Sequence, residues 1–308
     1  MTNKIVVLGS LNVDQTLHVH RLPQPGETIK MTAQSSALGG KGANQAVAAR
    51  RTGLAQTAFI GRVGADAAGK RLLHSLAAEQ IDIQHIQVDP QQGTGQAYVL
   101  LQDSGENSII IYGGSNQALT TADVQAAHSL IQAADFLIAQ CEIPLAVIAE
   151  AFVYAQQVNT RTILNPAPVV PQLPAEILEH TDLICPNETE AQALTGIAIT
   201  DEATLVQCTQ ALYQLTQACS VITVGDKGAY LVAKDISPQL IPASAVPVVD
   251  TTAAGDTFIG AMVSQLQPDF KNLVAAVRFA CQASALTVQS LGAQPSIPTY
   301  QAVQASYS

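Results

Sequence analysis

The stretch DTTAAGDTFIGA, Asp250–Ala261, sets two carboxylates six residues apart around a turn of small residues, with helix formers following at once. Backbone amides of such a turn, at a helix N-terminus, make an anion site that holds a phosphate without lysines. Asp256 then stands where the phosphate would arrive. As a phosphate ligand a carboxylate repels; as a base it takes the proton from a hydroxyl that attacks phosphorus. Asp before a helix also serves as an N-cap, and from this motif alone both uses stay open.

Other stretches offer complementary groups. GGKGANQAVAARRTG, Gly39–Gly53, lacks the Ser or Thr that follows the lysine of a P-loop and the G-x-G-x-x-G order of a dinucleotide site. Its glycines still let a ligand approach backbone, and Lys41 and Asn44 carry donors and an acceptor suited to sugar hydroxyls; the plainer reading is a loop feeding an alanine-rich helix that ends at Gly53. In GSLNVDQ, Asn12 and Asp14 lie two apart, on one side of an extended chain. PNETEA has the spacing of a capping box, Asn187 at N-cap and Glu190 at N3. VITVGDKGAYLV reads as strand, glycine turn and strand, in which Thr223, Gly225 and Gly228 form either an ordinary hairpin or a nucleotide shelf. The six histidines show no H-E-x-x-H pattern and no serine partner, which argues against a metallohydrolase or a triad hydrolase.

These groups must be held by a framework, and the chain supplies its pattern. Strand-like runs alternate with helical-period segments from about Gly39 onward, as in TAFIGRV before AGKRLLHSLAAEQI and DFLIAQCEI before PLAVIAEAFVYAQQV. That alternation predicts an α/β protein with a mostly parallel sheet covered by helices on both faces. VPVVD, Val246–Asp250, reads as a further strand, and DTFIGAMVSQL as the helix after it. Two segments break the alternation, LNVDQTLHVHRLPQPGETIKMTAQ and GQAYVLLQDSGENSIIIYGG, each a strand, a turn and a strand without a helix. Together they predict a small antiparallel sheet, approximately 11–37 and 94–113, hinged on glycines as a β lid over a site or as an interface for a second subunit. The segment Pro166–Pro174, with four prolines, is a loop.

Bulk properties bound the function. At 308 residues the chain is near the upper size of one core, so 1–308 is read as a single domain. A net charge of −10 argues against nucleic acid or an anionic membrane as partner. The five cysteines are scattered and never form C-x-x-C, suggesting reduced buried thiols; with no signal peptide and no apolar run of about 20 residues, the expected location is cytoplasmic.

Taken in order, GGKGANQAVAA, NPAP, PNETEA and DTTAAGDTF resemble the ribokinase-like sugar kinases of the PfkB family, and the similarity runs from VVLGSLNVD to GAQPSIP, nearly the whole chain. The resemblance implies a Rossmann-like three-layer α/β/α body and ATP-dependent phosphorylation of D-ribose at its 5-hydroxyl. Another pentose, deoxyribose or a nucleoside keeps the same chemistry; a non-catalytic sugar sensor on the same fold is the reading of a different class. It implies that Asn12, Asp14, Gly40, Lys41, Asn44 and Glu142 hold the sugar, that Asp256 is the base, and that the amides of Ala253, Ala254 and Gly255 form the anion hole. Asn187 and Glu190 would serve the Mg²⁺ and phosphate region, and Thr223, Gly225, Asp226, Gly228 and Cys281 would border the nucleotide. Asp250, Thr252, Thr287, Ser290, Gly292 and Ser296 would form a monovalent cation site, usually for K⁺. The lid would also make a homodimer interface. The chain departs from the family at Ala253, where glycine is usual, and at Cys281, where a polar residue is common. If residue 253 needs a positive φ, alanine costs on the order of 1 kcal/mol there.

Overall fold

The computed structural model describes residues 2–216 and 219–306. In chain order its strands are β1 (Lys4–Leu8), β2 (Asn12–Val19), β3 (Ala33–Gly39), β4 (Gln56–Gly64), β5 (Asp82–Asp89), β6 (Gly95–Gln102), β7 (Asn107–Tyr112), β8 (Phe136–Gln140), β9 (Arg161–Asn165), β10 (Leu183–Ile184), β11 (Cys219–Thr223), β12 (Gly228–Ala233) and β13 (Ile236–Pro242). The large sheet runs β13-β12-β11-β10-β9-β8-β1-β4-β5, parallel from β5 to β11 and antiparallel through the last two strands.

A strand buried on both faces reads as a continuous apolar run, and β1 (KIVVL) shows why. Ile5 and Val7 enter one core cluster and Val6 and Leu8 the other. The first cluster is roofed by the helices Lys41–Gly53, Ala254–Gln265 and Leu273–Thr287, the second by Leu145–Gln157 and Glu202–Thr216. The result is the three-layer α/β/α body expected from the alternation.

The two hairpins form a second sheet of order β3-β2-β6-β7. Each hairpin is antiparallel, but the seam between them is parallel, Asn12 beside Gly95 through Val19 beside Gln102. Both inner strands leave the body in the same direction, so they can meet only in parallel. The base of this sheet, where Asn12 faces Gly39, lies three residues beyond β1 and next to the Lys41–Gly53 helix.

Two local expectations need correction. VPVVD is not a strand: Pro247 lacks an N–H, and the N–H groups of Val249 and Asp250 donate instead to the Val288 carbonyl at 2.7 and 3.2 Å. The helix that follows begins at Ala254, two residues ahead of Asp256. The Lys41–Gly53 helix does end at Gly53, but the left-handed residue beyond it is Leu54, φ 55°. Gly53 serves close packing, since a Cβ there would lie 2.1 Å from Ser264 Cβ.

Candidate active site

Gly260 lets the Ala254–Gln265 helix lie against the Lys41–Gly53 helix: a Cβ at this position would come within 2.5 Å of both Ala48 Cβ and the Gln45 carbonyl. This approach delivers Asp256, 8% exposed, to two amide side chains. Asn44 Nδ2 donates to Asp256 Oδ2 and Gln45 Nε2 to Asp256 Oδ1, both at 3.0 Å. Asp256 is therefore not a cap. The N-cap position belongs to Ala253, whose φ of 61° and ψ of 10° are left-handed, so the position does need the conformation that favours glycine. Of the three amides expected to face an anion, that of Ala254 also donates to the Thr251 carbonyl at 3.2 Å, while Gly255 has nothing within 4 Å of where a Cβ would sit.

In front of this turn is a cavity of about 210 Å³, lined among others by Lys41, Asn187, Glu190, Thr223, Gly255 and Asp256, with Ala253 and Ala254. The PNETEA capping box forms as its spacing requires: Glu190 N donates to Asn187 Oδ1, and Asn187 N to Glu190 Oε2, each at 2.9 Å. A single bridge between Asn187 and Thr223 ties this helix start to the end of β11. Burial raises the Glu190 carboxyl, a rise that the Asn187 N–H and Lys41 offset only in part. Burial alone would lower the Lys41 ammonium, yet Asp256, Glu142 and Glu190 together hold it above its ordinary value. Lys41 is thus a stable cation among the three carboxylates Asp256, Glu142 and Glu190.

On the other side of Asp256 the base of the small sheet and the chain around it supply polar groups. Gly40 has φ 91°, and a Cβ there would lie 2.8 Å from Ser10 O, so only glycine lets this loop cross the end of β1. Glu142 Oε2 accepts from Ser10 Oγ at 2.5 Å and from Lys41 N at 3.1 Å. Asn12 Oδ1 accepts from Asn116 Nδ2 at 2.7 Å. Burial, then Glu142 and Asp256, push the Asp14 carboxyl up to about 6. Asn44 Oδ1 is a buried acceptor with no partner. Ser10, Gln45, Asn116, Gln140 and Asn165 were not singled out from sequence; Ser10, Gln45 and Asn165 do lie within the VVLGSLNVD, GGKGANQAVAA and NPAP stretches, but only the tertiary contacts give them a place in the site.

The remaining candidates fall into two groups. Gly225 (φ 56°) and Gly228 (φ 114°) flank Asp226 in the β11–β12 turn, and a Cβ on Gly228 would lie 2.1 Å from Ile241 O, so its smallness serves β13. Cys281 is core: it is 5% exposed, its thiol donates to Ile241 O at 3.8 Å, and burial pushes it up to about 11. Asp250 and the 290–296 loop do come together. Asp250 Oδ1 accepts from Thr252 Oγ1 (2.6 Å) and Oδ2 from Gly292 N (2.8 Å); these bonds outweigh burial and hold its carboxyl low. Ser290 N donates to the Thr287 carbonyl, Thr287 Oγ1 to Thr257 Oγ1, and Ser296 Oγ to Ala293 O. Oxygen ligands with one ionised carboxylate fit a monovalent cation. Among the described residues no three His, Cys, Asp or Glu side chains gather as a metal cage, and Glu190 alone fits Mg²⁺ of the kind that phosphates and water largely hold.

Residues 2–300 match the profile of the pfkB family carbohydrate kinases. This chain is a carbohydrate kinase of that family. It is similar to the ribokinase of Staphylococcus aureus, with 44% identity over 98% of this chain and 99% of that one. It is 46% identical, over 97% of its length, to the bifunctional ribokinase/ribose-5-phosphate isomerase A of Fructilactobacillus sanfranciscensis, and spans only 55% of that longer protein. The solved structure of Arabidopsis thaliana ribokinase complexed with ribose and ATP matches this kinase with a TM-score of 0.90 at 32% identity, over 99% of this chain and 98% of that one.

Proposed function

We propose that this kinase transfers the γ-phosphoryl group of ATP to the 5-hydroxyl of D-ribose, with Asp256 as general base. The observation that carries the reading is the position of Asp256: a buried carboxylate, oriented through both oxygens, between the polar base of the lid and a helix N-terminus. Asn12, Asp14, Lys41, Asn44 and Glu142 hold the sugar so that its hydroxyl points at Asp256. Asp256 takes the proton as the oxygen attacks phosphorus, and ADP leaves with the electrons of the broken P–O bond. The amides of Ala253, Ala254 and Gly255 face the charge that develops on the phosphoryl oxygens. Thr223 and the Gly225–Gly228 turn border the nucleotide, with Cys281 behind them in the core. Asn187 and Glu190 would hold Mg²⁺, which would supply neutralisation of phosphate charge, and the Asp250 loop would hold K⁺ behind the turn. The lid excludes water, which would otherwise compete as acceptor.

The same reading makes the protein a cytoplasmic homodimer joined through its lid. No helix among the described residues is long and apolar enough to cross a membrane. The decisive test is ATP turnover with Mg²⁺ and K⁺ over a panel of D-ribose, deoxyribose, other pentoses and nucleosides. D-Ribose is expected to have the highest kcat/KM; a better acceptor would transfer the assignment to that sugar. Asp256→Asn is expected to keep ribose binding and lower kcat by about 10²–10⁴, and retained turnover would remove Asp256 as base.

A further inference from the structure

Behind Asp256 lies a row of buried amides with no place in the substrate contacts above. Gln45 and Gln140 are fully buried and Asn165 is 6% exposed. Gln140 Nε2 donates to Gln45 Oε1 at 2.7 Å, and Gln45 Nε2 donates both to Asp256 Oδ1 at 3.0 Å and to Asn165 Oδ1 at 3.1 Å. Asn165 Nδ2 in turn donates to the Cys185 carbonyl at 3.0 Å.

The row has only one consistent polarity. Turning Gln45 over would aim its oxygen at two acceptors, Asn165 Oδ1 and Asp256 Oδ1, and its NH₂ at the NH₂ of Gln140. Asn165 is locked by the Cys185 carbonyl and Gln140 by Gln45. The arrangement also carries a cost: Gln140 Oε1 is buried without a partner, pressed toward Gly9, where a Cβ would lie 2.2 Å from it. An apolar residue at position 140 would avoid that cost, so the amide is not explained by packing alone.

We propose that Gln45, anchored by Gln140 and Asn165, is a positioning residue that fixes the rotamer of the Asp256 carboxylate by donating to Oδ1 while Asn44 donates to Oδ2. The proposal rests on Asp256 as base. Removing this donor loosens the geometry of the carboxylate toward the acceptor hydroxyl. The charged groups facing Asp256 from other elements are Lys41 on its helix, Asp14 on β2 and Glu190 on its helix. Because Asp14 acts on the sugar, turnover is to be read as kcat at saturating ribose, separately from ribose affinity.

The test compares wild type, Gln45→Met, Gln140→Leu, the double variant and Asp256→Asn, with folding checked by circular dichroism and ribose binding by calorimetry. Gln45→Met is expected to lower kcat about tenfold to a hundredfold and to leave ribose affinity within a few-fold. Gln140→Leu is expected to lower kcat by less at unchanged ribose affinity, and the double variant to be no worse than Gln45→Met, since Gln140 acts through Gln45. If Gln45→Met does not fold, the split between kcat and ribose affinity in Gln140→Leu decides. An unmoved kcat, a loss of ribose affinity as large as the loss of kcat, or additive losses in the double variant overturns the proposal, while an inactive Asp256→Asn leaves the base assignment standing. An active Asp256→Asn removes both.

Discussion

Ala253 holds a left-handed backbone, φ 61°, at the start of the helix that carries Asp256. An L residue there costs roughly 1–2 kcal/mol, of which the lower chain entropy of alanine in the unfolded state returns part. Ala253→Gly is therefore expected to stabilise the protein by about 0.5–1 kcal/mol, read as a higher denaturant midpoint at unchanged slope; a lower midpoint would mean that the alanine methyl packs favourably. Asp14 presents a conflict of the opposite kind. Its carboxyl titrates near 3.8 in the unfolded chain and at about 6 in the fold, because burial and the neighbouring Glu142 and Asp256 disfavour its charge. A group raised in this way adds stability that is complete below pH 3.8 and is lost as pH rises through 6. At pH 7 the ionised side chain costs about 1–3 kcal/mol after allowance for solvent at its open edge. Asp14→Asn is expected to be the more stable protein at pH 7–8, with the advantage vanishing toward pH 4, and to bind ribose more weakly. A pH-independent difference in denaturation midpoints would show that Asp14 is not strained by charge.

Two glycines on one helix separate packing from chemistry at the scale of elements. Gly260 faces Ala48 and the Gln45 carbonyl, so Gly260→Ala forces the helices apart and is expected to cost about 1–3 kcal/mol and to lower kcat by moving Asn44 and Gln45. Gly255 faces open space in the cavity. Gly255→Ala is expected to match or slightly exceed wild-type stability while losing turnover, because its methyl enters the cavity on the proposed phosphate side. Thermal melts and steady-state rates on both variants check the contrast, and equal stability losses would undo it. The same helix shows what the sequence makes legible. Apolar runs, the Asn187–Glu190 box and the two hairpins carry their own local signals, so alternation and capping chemistry place them. The candidate site was legible as motifs, though from its own motif Asp256 read more readily as a cap, until the helix start at Ala254 excluded that use. The rest depends on tertiary contact: Gly53 reads as a helix stop yet serves Ser264, VPVVD reads as a strand yet finds no sheet neighbour, and Gln45 reads as one polar residue in an alanine-rich helix.

At the scale of the molecule the small sheet is asymmetric. Its β3 edge begins with exposed Ala33, Gln34, Ser35 and Ser36, whereas its β7 edge exposes Ile109, Ile110, Ile111 and Tyr112 at 56, 60, 59 and 44%. An apolar edge strand left open invites uncontrolled pairing, and a polar one does not. This contrast favours the β7 side as the surface that a second copy covers in the proposed homodimer. Each 32.2 kDa chain carries a net charge of −10, so two copies repel at long range and must be joined by apolar contact. Sedimentation equilibrium is therefore expected to give twice the chain mass, with tighter association as salt rises and screens the repulsion. Ile110→Lys places one more charge on the edge of each copy and is expected to yield monomers, with a raised KM for ribose because the proposed lid loses its outer support. A dimer that survives Ile110→Lys, or that weakens with added salt, would place the interface elsewhere and leave the isoleucines of β7 to the small sheet alone.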